Sequence, residues 1–151
     1  MTATTTPDTI GRGRAIRRRS VRAIRVYWPV AHTTLAAATA GDTGAVRDDA
    51  SFASLLRVLE SSPGLGDFGL YDDVFEVGFG AEGFTTRPGA APVLGRVGGR
   101  SLSPTLTFTS YIDAGASDEE LTRILARIAD AHPWEVPVIE LSAPLELISR
   151  A

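Results

Sequence analysis

A stretch of alternating side chains constrains what this chain can fold into more than any other feature. Residues 105–113 read TLTFTSYID, and every second side chain falls on one face of an extended strand: Leu106, Phe108, Ser110 and Ile112. Such alternation is typical of a strand that packs one face against a hydrophobic core and leaves the other face polar. We therefore predict a half-buried strand here.

A helix with clear start and stop signals follows this strand. Ser117 and Glu120 form a Ser-x-x-Glu capping box, with two further acids at the positive end of the helix dipole. Apolar residues then recur at helical spacing over residues 121–128. Pro133 disfavours helical backbone at the residue before it, so we expect the helix to end near His132.

The other segments complete an ordered series of elements. Local patterns predict strands at residues 24–30, 68–79 and 136–141, a helix capped by Ser51 at residues 51–60, and a long Gly/Pro-rich loop at residues 80–104. The order is strand, helix, strand, loop, strand, helix, strand. It predicts an α+β fold of the ferredoxin-like split β-α-β type, with a four-stranded antiparallel sheet and two helices on one face. The uncovered face favours oligomerisation.

Charge is unevenly distributed along the chain. Residues 1–25 contain seven arginines and one acid, whereas the rest contains eight arginines and 17 acids. The beginning holds few apolar side chains, so we expect a disordered Arg-rich tail at residues 1–22 and a single domain at residues 23–151. Contact with nucleic acid or an anionic membrane is the alternative to a solvated tail. We favour the solvated tail because no aromatic residue lies between these arginines to stack on bases.

Several classes of function are excluded by what the sequence lacks. With no cysteine, the chain has no disulfide, zinc-thiolate site or cysteine nucleophile, which fits a cytoplasmic location. No apolar run approaches the roughly 18 residues of a transmembrane helix. A Walker loop is excluded because lysine is absent, and no Gly-x-Ser-x-Gly elbow occurs. We assign no catalytic residue.

A few titratable side chains could form a divalent metal site. They are His132, at a helix C-terminus where the dipole favours a cation, and Glu135, His32 and Asp73. The alternative, which we favour, is that His132 only ends the helix and that Trp134 packs at a subunit contact. A divalent metal ion is the one cofactor that the sequence indicates.

The long loop is a second candidate site. Its glycines could bring backbone N–H groups to an anion, and its arginines could add charge-assisted hydrogen bonds. The alternative is a structural role in assembly. The loop residues with a candidate role in ligand binding or assembly are Gly80, Gly83, Phe84, Arg87, Gly89, Pro92, Gly95 and Gly98.

Two motifs carry a resemblance to a known family. Residues 66–72 read GDFGLYD and lead into the Gly-rich loop, and residues 132–137 read HPWEVP. Together they resemble the YqfO-type domain of the Nif-three-like family, and the second motif also resembles the CutA-like divalent-cation-tolerance family. The resemblance implies a ferredoxin-like homotrimer in which the loop packs across the subunits, with Tyr71 and Trp134 as interface candidates.

The sequence departs from the family pattern in ways that limit what the resemblance implies. Asp73 and Val74 stand where the family often has His-Cys, and Thr86 stands where it usually has proline. The resemblance covers residues 66–141 and does not extend to the flanking lobes that carry metal-dependent chemistry in full-length members. It therefore implies none of their activity.

These observations favour a non-catalytic, oligomeric binding or regulatory module. Such a module would sense a divalent metal or a small metabolite at its subunit interfaces. One alternative is a metal-dependent enzyme that uses His32, His132 and Glu135. The other is a purely structural assembly subunit whose tail recruits a partner.

Overall fold

The computed structural model describes residues 15–150 of the chain. The elements are, in order, β1 (Ile16–Pro29), α1 (His32–Thr39), α2 (Gly44–Asp48), α3 (Ala50–Glu60), β2 (Glu76–Thr85), β3 (Arg100–Asp113), α4 (Asp118–Ala131), β4 (Ile139–Leu141) and β5 (Leu145–Arg150). No helix in this part of the chain is long and apolar enough to cross a membrane.

The strands form one antiparallel sheet in the order β2-β3-β1-β4, with β5 also paired to β1. Strands β1 and β2 run parallel to each other with β3 between them, as a split β-α-β unit requires. The predicted α+β, ferredoxin-like architecture is confirmed. The sheet differs from the predicted one in its fifth strand, and there are four helices in the described residues instead of two.

Strands β4 and β5 lie end to end along the same edge of β1. Between them, Ser142 N donates a hydrogen bond to Ala23 O at 3.0 Å, and Ala23 N donates to the Ser142 hydroxyl at 2.8 Å. The pairing register with β1 shifts by one residue across this interruption, as in a β-bulge. The bulge lets the chain continue pairing beyond Leu141, where we expected the last strand to end.

The beginning of β1 corrects the predicted tail. Ile16 to Arg22 lie in β1, where they pair with β5 and then β3, so disorder was the wrong prediction for these residues. Neighbouring arginines point to opposite faces of the strand, and neither face is buried in this stretch, so the backbone pairs without burying a charge. Arg18 forms an ion pair with Glu146 at 3.0 Å. The prediction for residues 1–14 lies outside the described residues.

The hydrophobic core lies between the sheet and helices α3 and α4. The apolar face of β3 is buried as the alternation predicts, with Leu106 and Phe108 fully buried and Ile112 almost so. Trp28 of β1 is also fully buried, and its indole N–H donates to the Ser51 hydroxyl at 2.9 Å. This bond satisfies the one polar atom of a large core side chain.

Asp49, and not Ser51, caps α3. Its carboxylate accepts hydrogen bonds from the backbone N–H groups of Ser51 and Phe52, both at 3.0 Å. It also accepts one from the Thr34 hydroxyl at 2.6 Å, which ties α1 to α3. Burial by itself would raise the pKa of Asp49, but the hydrogen bonds from Thr34 and the backbone outweigh it and lower that pKa.

The second predicted strand and the long loop are displaced from their predicted positions. Strand β2 spans Glu76–Thr85 and pairs with Arg100–Thr109 of β3, so the loop is reduced to residues 86–99. Gly80 and Gly83 therefore lie in a strand and not in the loop. The segment before β2 is bent by Gly66 and Gly69, both at positive φ, which prevents the strand from starting at residue 68.

Helix α4 begins and ends as predicted. The Ser117 hydroxyl accepts a hydrogen bond from Glu120 N at 3.1 Å, and His132 is the C-cap residue with extended backbone. The chain then turns away at Pro133 toward the tip of the β2–β3 hairpin. This turn places the HPWEVP motif beside the Gly-rich loop.

Candidate ligand cleft

A cleft of about 320 Å³ opens between the Gly-rich loop and the segment that follows α4. We call it the loop cleft. Its lining is mostly apolar and comes from β2, the loop and the HPWEVP motif: Glu82, Phe84, Thr85, Thr86, Arg87, Ala90, Ala91, Pro92, Val93, Leu94, Trp134, Glu135 and Val136.

A row of aromatic rings connects the cleft to the core. Phe84 and Trp134 meet edge to face with ring centroids 5.5 Å apart, and Trp134 lies 5.8 Å from His132. His132 in turn contacts the buried Trp28 at 4.7 Å. One wall of the cleft is therefore held by contacts that reach the centre of the molecule.

His132 is bonded through both ring nitrogens. Its Nε2 lies 2.8 Å from Tyr27 O and its Nδ1 accepts a hydrogen bond from Trp134 N at 3.1 Å. Because a carbonyl only accepts, Nε2 carries the proton and the ring is neutral. Burial lowers the pKa of His132 more than these backbone contacts raise it. The imidazole thus positions the HPWEVP motif and has no lone pair left for a metal ion.

Glu135 fastens the loop to the opposite side of the cleft. Its two carboxylate oxygens accept a hydrogen bond from Ala91 N at 3.1 and 3.3 Å. The loop is closed on itself by Gly98 N, which donates to Thr86 O at 2.8 Å, and by Thr86 N, which donates to Gly99 O at 3.2 Å. These bonds fix the shape of the cleft without using the side-chain oxygens of Glu82 or Thr86.

Two oxygen atoms of the lining residues are buried without a hydrogen-bond partner among residues 15–150. They are Oε2 of Glu82 and Oγ1 of Thr86. Thr86 is only 6% exposed. Burial raises the pKa of the Glu82 carboxyl, because the charged form loses water without gaining a donor. Both residues carry polar groups that a ligand could satisfy.

The loop glycines shape the cleft in different ways. Gly95 has φ 86°, and a Cβ there would overlap the hydroxyl of Ser101, so any other residue would be strained and would have to displace that hydroxyl. Gly89 and Gly98 also have positive φ but lie in open space. Of the predicted loop residues, Phe84, Arg87 and Pro92 line the cleft.

The candidate metal ligands are not brought together. His32 is an exposed residue at the start of α1, and Asp73 lies in the turn before β2, where it lines a separate groove with Phe75 and Phe79. Within residues 15–150 no group of three or more His, Asp or Glu side chains is placed to hold a metal ion. The metal set predicted from the sequence therefore has no common site.

The two interface candidates have different surroundings. Tyr71 is 72% exposed and projects from a turn next to Leu70, which is 92% exposed. Trp134 is half-buried and forms a wall of the cleft. Sequence reasoning identified Trp134 but missed Glu82 and Thr86. Only the spacing of Glu82 and Phe84, which places both on one face of an extended strand, could have linked Glu82 to the cleft.

No protein-family model and no curated protein matches this chain. Among solved structures, its fold is similar to part of the crystal structure of a Bacillus cereus protein related to NIF3, with a TM-score of 0.54 and 16% identity. The similarity covers 88% of this chain and 27% of the other, so the chain spans about a quarter of that protein's length. At this identity the likeness concerns the fold, which is NIF3-like.

Proposed function

We propose that this chain is a non-catalytic module that binds a small organic molecule in the loop cleft. The volume of the cleft lies within the range of small-molecule sites, roughly 300–1,000 Å³. Its lining also has the composition of such sites, with aromatic and aliphatic walls and a few polar groups. The observation that carries the proposal is the pair of unpartnered buried oxygens on Glu82 and Thr86.

An unpartnered buried polar group is destabilising, at about 1–3 kcal/mol, and folded proteins contain few of them. Two on residues of the same cleft would both be satisfied by a bound molecule that hydrogen bonds to them. The free protein is then less stable than it could be, which is common at binding sites.

The geometry favours binding over metal-dependent catalysis. Both nitrogens of His132 and both oxygens of Glu135 are already used to hold the cleft together. A metal at His132 would have to displace its two bonds, and His32 lies elsewhere. The module proposed here thus senses a metabolite in preference to a divalent cation.

Replacing Thr86 with valine tests the proposal through stability. Valine keeps the branched shape and removes the unpartnered hydroxyl, so we expect the ligand-free protein to gain about 1 kcal/mol in free energy of unfolding. The matched control is Thr105→Val. Thr105 is equally buried, but its hydroxyl donates to Ser103 O at 3.0 Å, so this variant is expected to lose about 1 kcal/mol. Urea denaturation measures both, and a loss of stability in Thr86→Val would contradict the premise.

A fragment screen then tests binding itself. We expect small aromatic and aliphatic fragments to bind in a ligand-observed NMR screen. Phe84→Ala, which removes one wall, should abolish binding of most hits, while Ile148→Ala, at an exposed position of β5 far from the cleft, should not. Circular dichroism confirms that both variants are folded. A library with no hit that depends on Phe84 would refute a ligand site in this cleft.

We also propose that the module is a homotrimer of the YqfO type. Two features support an assembly: the exposed pair Leu70 and Tyr71, and strand β2, which forms an edge of the sheet in the described residues and has no proline to block pairing. Native mass spectrometry should show three copies, and Tyr71→Asp together with Leu70→Asp should reduce the mass to that of one chain. A monomeric wild-type protein would contradict this part of the proposal.

A further inference from the structure

Three charged side chains line the loop cleft. Glu135 is bonded to the loop backbone, whereas Glu82 and Arg87 have opposite charges and do not pair with each other. Glu82 lies near the end of β2, and Arg87 follows shortly after that strand ends. Neither belongs to any of the ion pairs among residues 15–150. Two opposite charges that line one cleft without pairing would attract complementary charges from a ligand.

The surroundings of the two charges differ. The carboxylate of Glu82 has one oxygen buried and without a partner, and the unpartnered Thr86 hydroxyl belongs to the same cleft. A positively charged donor binds such a carboxylate more strongly than a neutral one, because it compensates the charge as well as the hydrogen bond. Arg87 is exposed, and its planar guanidinium fits a carboxylate through two parallel hydrogen bonds.

The rest of the lining favours an apolar body that carries an ammonium group. The Phe84 and Trp134 rings form one wall, and aromatic faces attract cations as well as apolar surface. Pro92, Val93 and Leu94 supply aliphatic surface from the loop. A fully polar zwitterion would leave this surface without a partner.

From this arrangement we infer that the ligand is a small zwitterion with an apolar or aromatic body, such as an apolar amino acid. Its ammonium group binds Glu82 and Thr86, and its carboxylate binds Arg87. Its body lies against Phe84 and Trp134. The inference rests on the proposed ligand function of the loop cleft and specifies the chemical class of that ligand.

Isothermal titration with matched compounds tests the class without any mutation. L-phenylalanine carries its ammonium and carboxylate groups on one carbon. Para-aminomethylbenzoate carries them on opposite sides of a ring. Phenethylamine lacks the carboxylate of phenylalanine, and hydrocinnamate lacks its ammonium. We expect at least one zwitterion to bind, and loss of either charge to weaken binding on the order of tenfold or more, as for one charge-assisted hydrogen bond. For para-aminomethylbenzoate the corresponding pair is para-methylbenzylamine and para-toluate.

Two variants assign each charge to its residue. Arg87→Gln should lower the affinity for the zwitterion to that of the amine and leave amine binding unchanged. Glu82→Gln should lower the affinity for the zwitterion to that of the carboxylate compound and leave the affinity for the carboxylate compound unchanged. Arg123→Gln, on the exposed surface of α4, is a control that should alter neither.

The outcomes separate this inference from the proposed function. The zwitterion inference fails, and the ligand cleft stands, if an amine or a carboxylate compound binds as well as its zwitterion. The same conclusion follows if neither zwitterion binds while the fragment screen gives hits that depend on Phe84. If the screen gives no such hit, both fail. Because the compound series uses the wild-type protein, an unfolded variant does not prevent the test.

Discussion

Replacing Gly66 with alanine is expected to destabilise the protein far more than the same change at Gly69, three residues along the same turn. Both glycines have positive φ, 75° and 79°. They differ in their surroundings: a Cβ at Gly69 meets nothing within 4 Å, whereas a Cβ at Gly66 would lie 2.7 Å from Val74 N and 2.8 Å from Val74 O. The comparison separates backbone conformation from steric overlap.

The backbone of Val74 has little freedom to move away. Val74 N donates to Gly66 O at 3.0 Å, and Val74 O accepts a hydrogen bond at 2.8 Å from the hydroxyl of Ser110, which is fully buried. Gly66 N also donates to Tyr111 O at 2.8 Å. An added methyl group must therefore displace the backbone of Val74 and weaken its two hydrogen bonds.

The expected magnitudes follow from these contacts. At either position alanine meets about 1–2 kcal/mol of left-handed strain, offset by about 0.4–1 kcal/mol from the less flexible unfolded chain. Gly69→Ala should thus lose about 1 kcal/mol of unfolding free energy. Gly66→Ala adds two weakened hydrogen bonds at about 1 kcal/mol each and a similar cost of displacement, so we expect a loss of about 3–4 kcal/mol.

Urea denaturation followed by tryptophan fluorescence measures the difference, because Trp28 is fully buried in the core. The slope of each transition shows whether the denatured states remain comparable. Equal losses in the two variants, within about 0.5 kcal/mol, would refute the argument that close backbone approach makes glycine necessary at residue 66.

Two further predictions concern pH. Because the pKa of Asp49 is lowered, its contribution to stability is present above the unfolded pKa of about 3.9 and is lost as the pH falls through the lower folded pKa. Asp49→Asn should therefore remove this loss of stability in acid, measured as the urea midpoint against pH. An unchanged loss would show that another carboxyl is responsible. His132 also has a lowered pKa, so its contribution is present above about 6.5 and is lost as the pH falls through the folded value. His132→Gln should abolish this loss and the exposed His32→Gln should not, and the reverse result would contradict a buried, neutral His132.

Local sequence patterns correctly predicted the elements whose backbone conformation is determined by their own side chains. Strand β3 and helix α4 were identified because alternation and a capping box act over a few residues. Strand β2 was placed too early because Gly78, Gly80 and Gly83 have no side chains to alternate, and they enter a strand only because β3 lies beside them. The pairing with β3 is a tertiary effect that overrides local preference.

Long-range pairing also explains the two ends of the described chain. Arginines at 17, 18 and 19 look disordered in isolation, yet they form a strand because β5 pairs with them from the far end of the sequence. Helices α1 and α2 were not predicted from residues 31–50, and the carboxylate of Asp49 fixes α1 through Thr34. None of these contacts is visible in a short window of sequence.

The candidate site was predictable in its location but not in its chemistry. The Gly-rich loop and the HPWEVP motif stand out in the sequence, and the structure brings them together through Ala91 and Glu135. Whether a polar side chain there is satisfied depends on every neighbour in three dimensions. The unpartnered oxygens of Glu82 and Thr86 therefore emerge only from the folded structure.

The two walls of the loop cleft differ in how firmly they are held, and this bears on affinity. Trp134 is fixed through His132 to Trp28 and the core, whereas the loop opposite is held to this segment by the hydrogen bond from Ala91 to Glu135. A ligand in the proposed site would therefore meet an aromatic wall that is held in place before it binds. Each side chain that has to be immobilised on binding costs about 0.5–1.5 kcal/mol. A wall whose side chains are already held in place avoids this cost, so the binding free energy is more favourable. Under the proposed function, the buried imidazole of His132 would serve ligand binding by holding Trp134 in place, without touching the ligand itself.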